Sequence, residues 1–299
     1  MLCINGVSKT FDNVQALNNV SLTIEAGKTW GILGVNGAGK STLLKIIAGI
    51  LRPDKGSIVL DDKQLYNNSK IKKEIFFLSD DAYYFPNATV ETMAEFYSSV
   101  YKEFDIVRYR KLYEALEFDN IRKMRTFSKG MKRQVFILLA LCSNTNYLLC
   151  DEIFDGLDPV VRNTIQELLF HEVKNRKLTL IVASHNLKEL ENFCDCLGII
   201  HQGGILLSKE IQHMQHQTHK FQCVYNEGKA LQFASGLDLV SIERQGFLVT
   251  LLARGIKEEI EEIIRRSGAD RYQELPLTVE EIFINESEVI GYDISAIIS

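Results

Sequence analysis

Apolar residues along the chain fall into short continuous runs, typical of buried strands, and into stretches with helical spacing. The continuous runs alternate with the helix-like stretches from the start of the chain to about Gln212. This alternation predicts an α/β domain with a largely parallel sheet. The runs include TWGIL (29–33), SIVLDD (57–62), IFFLSDD (75–81), NYLLCDE (146–152), LTLIVASH (178–185) and CLGIIHQG (196–203), with which the predicted sheet closes.

The segment between Pro86 and Asn144 has a different pattern. VETMAEFYSSVY and IVRYRKLYEALEF place apolar residues three and four positions apart, as on one face of an amphipathic helix. We therefore expect a helical subdomain at about 86–144, inserted into the sheet domain.

A polar stretch, QHMQHQTHK, follows the α/β region. Its His213, His216 and His219 recur at every third position, which could indicate a metal site. No carboxylate or cysteine in the stretch completes a metal shell, and this favours a solvated, histidine-rich linker. The sequence therefore predicts an α/β domain at 1–212 and a linker at 213–220.

The last part of the chain, 221–299, is predicted to form a second domain. It contains the segments FQCVY, GKALQFA, LVSI, FLVTLL, IKEEIEEIIRRS and RYQEL. Their patterns predict the order strand, helix, strand, strand, helix, strand, which is that of a split βαβ fold. We expect a small α+β accessory domain here.

Composition narrows the class of protein. The chain has 299 residues, 46% of them hydrophobic, and only four prolines, as in an ordered globular protein. No run approaches the roughly 18 apolar residues of a membrane span, and the N-terminus has no leader pattern, so we expect a soluble, unexported protein. Six cysteines without a disulfide-like framework suit a reducing cytoplasm. The net charge of −5 argues against nucleic acid as a partner.

The segment GVNGAGKS (34–41) fits the phosphate-binding pattern G-x-x-x-x-G-K-[ST] without a mismatch. An apolar strand precedes it and a helix-like stretch follows it, which is the context that the pattern requires. In such a loop the backbone N–H groups surround the phosphates, Lys40 reaches the β and γ oxygens, and Ser41 binds Mg²⁺. The sequence thus predicts a nucleoside triphosphate site formed by Gly34, Asn36, Gly37, Ala38, Gly39, Lys40, Ser41 and Thr42.

Two carboxylates follow the apolar run YLLC. Asp151 ends this strand and is placed to hold Mg²⁺ directly or through water, and Glu152 can orient or deprotonate an attacking water. The alternative is that the carboxylates cap a helix. A carboxylate after four apolar residues is costly to bury without a cation, and this favours the magnesium site.

The order of these motifs with FSKGMKRQ (127–134), DGLD (155–158) and the pair Ser184-His185 resembles the nucleotide-binding subunit of ABC transporters. The resemblance covers about 2–208. It implies a P-loop NTPase fold of the ABC type, with a mixed sheet and an inserted helical subdomain. It also implies ATP and Mg²⁺ as cofactors and a head-to-tail dimer with ATP between the subunits.

The signature segment carries the dimer expectation. In the family, the motif LSGGQ binds the γ-phosphate held by the opposite subunit, and here Ser128 and Gly130 match it. Lys129 and Met131 depart from the motif. The serine and the glycine still precede a helix, whose N-terminus favours a phosphate. Considered alone, Ser128 is better explained as a plain helix N-cap, and the order of the accompanying motifs reverses that preference.

Further residues take roles from the same resemblance. Phe11 corresponds to the aromatic residue that stacks on adenine, although an ordinary core phenylalanine is the alternative. Asp158 corresponds to the aspartate that links the two sites across the dimer. His185 corresponds to the histidine that contacts the γ-phosphate and holds Glu152 and the water in place. The predicted catalytic residues are therefore Lys40, Glu152 and His185.

One position departs from the family in a way that changes the expected chemistry. The family usually has a glutamine after the strand that follows the phosphate loop, where it touches Mg²⁺, and here the aligned residue is Asp80. A carboxylate is a harder and stronger Mg²⁺ ligand than an amide. We therefore predict that Asp80 joins Ser41 and Asp151 in binding magnesium or its water.

The resemblance implies an ATPase subunit, in a homodimer or heterodimer, that powers a separate integral membrane permease from the inner face of the cell membrane. Tyr83, Tyr84 and Phe85 are the candidate docking surface, unless they pack inside the subdomain. The segments SKGM and LTVEEIF resemble single-domain ATPases of bacterial export systems. The alternatives are a soluble ABC ATPase acting on a macromolecular assembly and a regulatory protein that binds ATP without hydrolysing it.

Overall fold

A computed structural model describes residues 1–116, 121–211, 218–225, 236–278, 280–282 and 284. It divides the chain into two units, Met1–Ser208 and Lys209–Ser299. The strands of the α/β region, in chain order, are β1 (Leu2–Phe11), β2 (Val14–Ile24), β3 (Thr29–Leu33), β4 (Lys55–Leu60), β5 (Lys63–Gln64), β6 (Ile75–Leu78), β7 (Tyr147–Asp151), β8 (Thr179–Ser184), β9 (Cys196–His201) and β10 (Gly204–Glu210). The described α-helices of this region are α1 (Lys40–Ile47), α2 (Ser69–Lys72), α3 (Val90–Val100), α4 (Ile106–Ala115), α5 (Lys129–Cys142), α6 (Pro159–Arg176) and α7 (Leu187–Glu191).

The largest sheet contains the phosphate-loop strand at its centre. Its order is β10-β9-β3-β8-β7-β6, and the neighbours from β9 to β6 run parallel. Every residue of β3, β7 and β8 is buried, as expected for parallel strands covered on both faces. The predicted parallel sheet is confirmed for these runs.

The prediction that this sheet closes at 196–203 is wrong, because β10 adds a further strand beside β9. Gln202 and Gly203 both have positive φ, 45° and 79°, and they make the two-residue turn that reverses the chain. The short apolar run GILL (204–207), with which β10 begins, was not among the predicted strands.

The first strands do not belong to the parallel sheet, which is a second correction. They form a separate antiparallel sheet of order β2-β1-β4-β5. Asp12 (φ 49°) turns β1 into β2, and Asp61 and Asp62 (φ 46° and 62°) turn β4 into β5. The two sheets share one apolar core, which includes Leu2, Ile4, Leu22, Ile32, Leu43, Leu149 and Ile181.

Among the described residues, the helices α3, α4 and α5 lie between β6 and β7, in the segment where a helical subdomain was predicted. Thr89, Asp105 and Ser128 each precede one of them and accept a backbone N–H through the side chain, as N-cap residues do. Every residue of α5 from Val135 to Cys142 is buried, so this helix anchors the helical segment. No α-helix of the described segments is long and apolar enough to cross a membrane.

The second unit contains β11 (Thr218–Val224), β12 (Asp238–Gln245), β13 (Leu248–Arg254), α8 (Lys257–Arg266) and β14 (Arg271–Leu275). Its antiparallel sheet has the order β12-β13-β11-β14. Phe221 and Leu251 of the sheet share a core with Ile260 and Ile264 of α8. The helix predicted at GKALQFA (228–234) lies outside the described residues.

The linker predicted at 213–220 is wrong at its end, because Thr218, His219 and Lys220 belong to β11. His219 Nδ1 lies 3.0 Å from Glu274 Oε1 of the neighbouring strand β14. In a strand the side chains alternate between the two faces with a period of two. The histidines recur with a period of three, so their spacing did not indicate the strand that begins at Thr218. His213 and His216 lie outside the described residues.

A buried ion cluster joins the helical subdomain to α6. Glu172 is 4% exposed and accepts two bonds from Arg108 of α4, at 2.6 and 3.1 Å, and one from Arg176. Arg176 also donates to the Thr145 carbonyl at 2.7 Å. Burial acts to raise the pKa of Glu172, but the hydrogen bonds from Arg108 and Arg176 outweigh it and hold the pKa below its ordinary value.

Replacing Glu172 with glutamine leaves two guanidinium groups facing a neutral amide. We expect a loss of about 3 kcal/mol in the free energy of unfolding, because one partner of a buried ion cluster is removed. Since the folded pKa lies below the unfolded one, the contribution of Glu172 is present above the unfolded pKa and is lost as pH falls through the folded pKa. Urea unfolding near pH 7 and at acid pH measures both effects.

The control is Glu25→Gln, which removes the exposed Lys28–Glu25 pair. Exposed pairs contribute little, so this variant should lie within about 0.5 kcal/mol of wild type. Equal losses in the two variants would contradict a special role for the buried cluster.

Candidate functional site

The predicted catalytic residues lie at one edge of the largest sheet. Strands β3, β8 and β7 are parallel neighbours, with Leu33 opposite Ser184 and Ala183 opposite Asp151. The phosphate loop, His185 and Glu152 follow these strand ends directly. Parallel packing therefore brings together residues that lie more than a hundred positions apart in sequence, at the edge where α/β sheets bind ligands.

The phosphate loop is shaped by glycines that no other residue replaces easily. Gly37 and Gly39 have φ values of 83° and 111°. A Cβ added at Gly39 would lie 2.5 Å from the Ala16 carbonyl oxygen. Helix α1 begins at the next residue, Lys40, so the loop ends on unpaired backbone N–H groups and the positive end of a helix. This is a cradle for phosphate oxygens.

A chain of polar contacts runs from Lys40 through Glu152 to His185. The Lys40 side chain is buried, and its Nζ donates to the Gly34 carbonyl at 2.6 Å and lies 3.1 Å from Glu152 Oε1. Glu152 Oε2 lies 3.0 Å from Nδ1 of the half-exposed His185. A buried cation, a carboxylate and an imidazole thus meet beside the phosphate loop.

Glu152 is held in an unusual backbone conformation. Its φ is +50°, in the left-handed region that costs a residue with a Cβ about 1–2 kcal/mol. Its N–H donates to the Ala183 carbonyl at 2.9 Å, and its carbonyl accepts from Asp155 N at 3.3 Å. Such strain persists only where neighbouring contacts fix it, and here it occurs in a predicted catalytic residue.

Asp151 has the features of a magnesium ligand. It is 4% exposed, and its Oδ1 has no hydrogen-bond partner among the described residues. Burial raises the pKa of Asp151, although a hydrogen bond from Ser41 opposes the rise. A buried carboxylate with a spare oxygen beside a hydroxyl is a hard oxygen donor set, which fits Mg²⁺.

The residues predicted to act across a dimer lie at helix starts. Ser128 caps α5 by accepting from Met131 N at 3.2 Å, and Asp158 caps α6 by accepting from the N–H groups of Val160 and Val161. The N-cap alternative for Ser128 is therefore present in the structure. A Cβ added at Gly130 would lie 3.1 Å from the Gly156 carbonyl, so the signature segment lies beside the DGLD loop.

Phe11 is a surface residue, and the alternative of an ordinary core phenylalanine is wrong. It ends β1 with 42% of its surface exposed, and the Lys9 ammonium lies 5.5 Å from its ring centroid. An exposed ring near a cation is available for stacking on a base.

Asp80 has cationic partners on α5. Its Oδ1 lies 2.9 Å from Lys129 Nζ and also bonds to the guanidinium of Arg133. Partial burial acts to raise the pKa of Asp80, but Lys129 and Arg133 hold it below the ordinary value. The magnesium role of Asp80 stays a prediction.

Sequence reasoning gave no role to Asp155 and did not indicate the contact between Arg133 and Asp80. Asp155 lies close to Glu152 and His185. One carboxylate oxygen of each acidic residue and one ring nitrogen of the histidine all lie within 4.8 Å of one another. The place of Asp155 in DGLD was a signal, but only the final aspartate of that motif received a role. Arg133 contacts Asp80, 53 residues away, and nothing in the sequence pattern indicated this pair.

Comparisons with known proteins agree with this geometry. The sequence pattern of the family described as ABC transporter matches residues 17–155. The lantibiotic transport ATP-binding protein SrtF of Streptococcus pyogenes is 30% identical over 224 residues, which cover 74% of this chain and 96% of SrtF. The ABC transporter ATP-binding protein YtrB of Bacillus subtilis is 28% identical over 284 residues, 95% of this chain and 97% of YtrB.

Solved structures agree on the fold. A dimeric post-hydrolysis state of the ATP-binding cassette MJ0796, bound to ADP and Pi, matches with a TM-score of 0.65 and 23% identity. The match covers 71% of this chain and 99% of that chain.

The fold and the phosphate loop define a P-loop ATPase of the ABC type. The chain belongs to the family of ABC transporter ATP-binding proteins. It is an ATP-binding subunit with ATPase activity, as its sequence motifs predicted.

Replacing Asp151 with asparagine keeps the shape and removes a buried charge. Because the folded pKa is raised, the charge costs stability above that pKa and costs nothing below the unfolded pKa. We expect the metal-free, nucleotide-free variant to be more stable than wild type by about 1 kcal/mol near pH 7. The gain should vanish at acid pH. Thermal unfolding in a chelator measures it.

The opposing control is Asp54→Asn. Asp54 is an exposed carboxylate whose pKa is lowered by a hydrogen bond from Lys9 and by the N–H of Thr10. This variant should lose stability near pH 7. A melting temperature of Asp151→Asn equal to or below that of wild type would contradict the prediction.

Proposed function

We propose that the chain binds and hydrolyses magnesium ATP as half of a head-to-tail dimer, and that the dimer drives a separate integral membrane permease of an export system. The observation that carries the proposal is the contact of Lys40 with Glu152 and of Glu152 with His185, next to Ser41 and Asp151. Each of these groups has a role in phosphoryl transfer to water.

The proposed roles follow from the chemistry of each side chain. The loop N–H groups and Lys40 neutralise the β- and γ-phosphates, and Ser41 and Asp151 hold Mg²⁺. Bound Mg²⁺ neutralises charge that develops on the phosphate oxygens. Glu152 orients or deprotonates the attacking water, and His185 holds Glu152 in place.

Ser128 and Gly130 support the dimer. Ser128 is exposed at the start of the 14-residue helix α5, so its hydroxyl and the helix N-terminus are accessible to a phosphate held by another subunit. In this arrangement Phe11 stacks on adenine and Asp158 links the two sites. The second subunit is a copy of this chain or a related ATPase subunit.

A patch of exposed aromatic rings supports docking to a permease. Tyr83 is 71% exposed, and Phe85 and Phe96 are 36% and 41% exposed. The rings of Tyr83 and Phe85 are in edge contact, as are those of Phe85 and Phe96. Tyr84 is only half-buried and lies under the Lys132 ammonium, 4.9 Å away. The patch is suited to an apolar partner.

The export assignment and the cellular location rest on the relatives and on the domain division. SrtF is named for lantibiotic transport, and the export systems suggested by SKGM and LTVEEIF are of that kind. A permease partner places the ATPase on the inner face of the cell membrane. The two units of the chain support an ATPase domain followed by an α+β accessory domain.

Glu152→Gln should bind ATP and lose hydrolysis by about a hundredfold or more, because it removes one positioned catalytic group. Purified from native membranes with ATP, it should carry a polytopic permease with it. Glu167→Gln, an exposed position of α6, is the control and should hydrolyse ATP at the wild-type rate. Recovery of a ribosome or DNA complex instead would favour the soluble ATPase.

Tyr83→Glu tests the docking surface. A carboxylate at this exposed position disfavours an apolar interface and leaves the core packing unchanged. We expect weaker recovery of the permease with unchanged ATP hydrolysis by the isolated chain. The matched control is Phe170→Glu, because Phe170 is 53% exposed on α6. Equal permease recovery by Tyr83→Glu and wild type would exclude this surface.

A further inference from the structure

Arg133 is a buried cation that contacts two different loops of the site. It lies in α5, five residues after Ser128, and only 4% of its side chain is exposed. Its Nη2 bonds to the carboxylate of Asp80 in the loop after β6, and its Nη1 bonds to the carbonyl of Asp155 in the loop after β7. One guanidinium therefore joins three segments.

The loop after β6 is bound to α5 at further points. Lys129 Nζ lies 2.9 Å from the same carboxylate oxygen of Asp80, and Lys132 Nζ lies 4.9 Å from the centre of the Tyr84 ring. Three cations on the first two turns of one helix thus face this loop. Removing one partner of such an ion pair leaves a buried charge without compensation, which is strongly destabilising.

The Asp155 residue whose carbonyl Arg133 contacts belongs to the same turn as Glu152. Asp155 N donates to the Glu152 carbonyl at 3.3 Å, so the two residues close a tight turn. Glu152 has a left-handed backbone, with φ +50°, and such strain is maintained only by contacts around it. Arg133 is the cation that bonds to the far side of this turn.

We propose that Arg133 is a positioning residue for ATP hydrolysis, which links Asp80 to the Glu152–Asp155 turn and so fixes the turn against the start of α5. Asp80 acts as its anionic partner, and an aspartate suits this position because a carboxylate binds a guanidinium more strongly than an amide does. The signature segment, the loop after β6 and the turn of Glu152 then move together. The inference rests on the role proposed for Glu152.

The test is a double-mutant cycle on the full chain with Asp80→Asn, Arg133→Gln and the pair. The observables are kcat and KM for ATP, normalised to the fraction of chains that bind nucleotide, and the Mg²⁺ concentration for half-maximal rate. Each single change should lower kcat about tenfold, the effect expected for losing a charged hydrogen bond. If Asp80 and Arg133 act only by positioning the turn, KM for ATP and the Mg²⁺ requirement should stay within about twofold of wild type, because this proposal gives neither group a contact with substrate or metal.

The coupling between the substitutions at Asp80 and Arg133 tests whether the two residues act through one link. The double variant should be no slower than the slower single variant, since both changes break the same link. Asp80→Glu should recover part of the rate, because it restores the charge. Arg110→Gln, the same substitution at an exposed position of α4, should leave the rate unchanged.

Three results would overturn the inference. Losses that multiply in the double variant would mean that the two residues act separately. A raised Mg²⁺ requirement in Asp80→Asn alone would assign Asp80 to the metal. Glu152→Gln is measured in parallel, and wild-type hydrolysis by this variant would remove the proposed role of Glu152 together with the role of Arg133. If Glu152→Gln instead loses hydrolysis while the losses of Asp80→Asn and Arg133→Gln multiply, only the link between Asp80 and Arg133 is rejected.

Discussion

The structure of the site depends on keeping charged groups in place where the sheet has excluded water. Strands β3, β7 and β8 are fully buried, and their ends deliver Lys40, Asp151 and Glu152 to one edge. A buried carboxylate or ammonium is unfavourable unless it has a partner. Lys40 and Glu152 partly satisfy each other, while Asp151 keeps a buried oxygen without a partner in the described chain. Because these buried charged groups are not fully paired within the chain, this edge of the sheet favours binding of a metal ion and a triphosphate.

Several local features of this edge bear on its stability. Glu152 has a left-handed backbone, Gly37 and Gly39 have positive φ, and burial raises the pKa of Asp151. At Glu172 the buried charge has partners within the chain, because two arginines hold the pKa of the carboxyl low. The contrast separates a structural ion cluster from a binding site: the former is complete within the chain, and the latter is completed by a ligand.

Local patterns in the sequence predicted the parts that depend on neighbouring residues. The phosphate loop, the buried strands and the helix starts are set by spacing over a few positions, and the structure has them where they were expected. The separate antiparallel sheet and β10 were missed, because which strands pair depends on turns such as Gln202-Gly203 rather than on apolar content. The burial of Phe11 was equally undetermined, since an exposed ring and a core ring look alike in sequence.

The remaining surprise concerns Asp80, where sequence reasoning considered only the metal. A carboxylate in place of an amide has two chemical consequences, because it binds Mg²⁺ more strongly and it also attracts arginine and lysine. The choice between them depends on which cations the fold brings near, and α5 brings Lys129 and Arg133. A carboxylate already paired with two cations has little charge left for a third. The contacts with Lys129 and Arg133 therefore link the loop after β6 to α5, and the magnesium role of Asp80 stays a prediction.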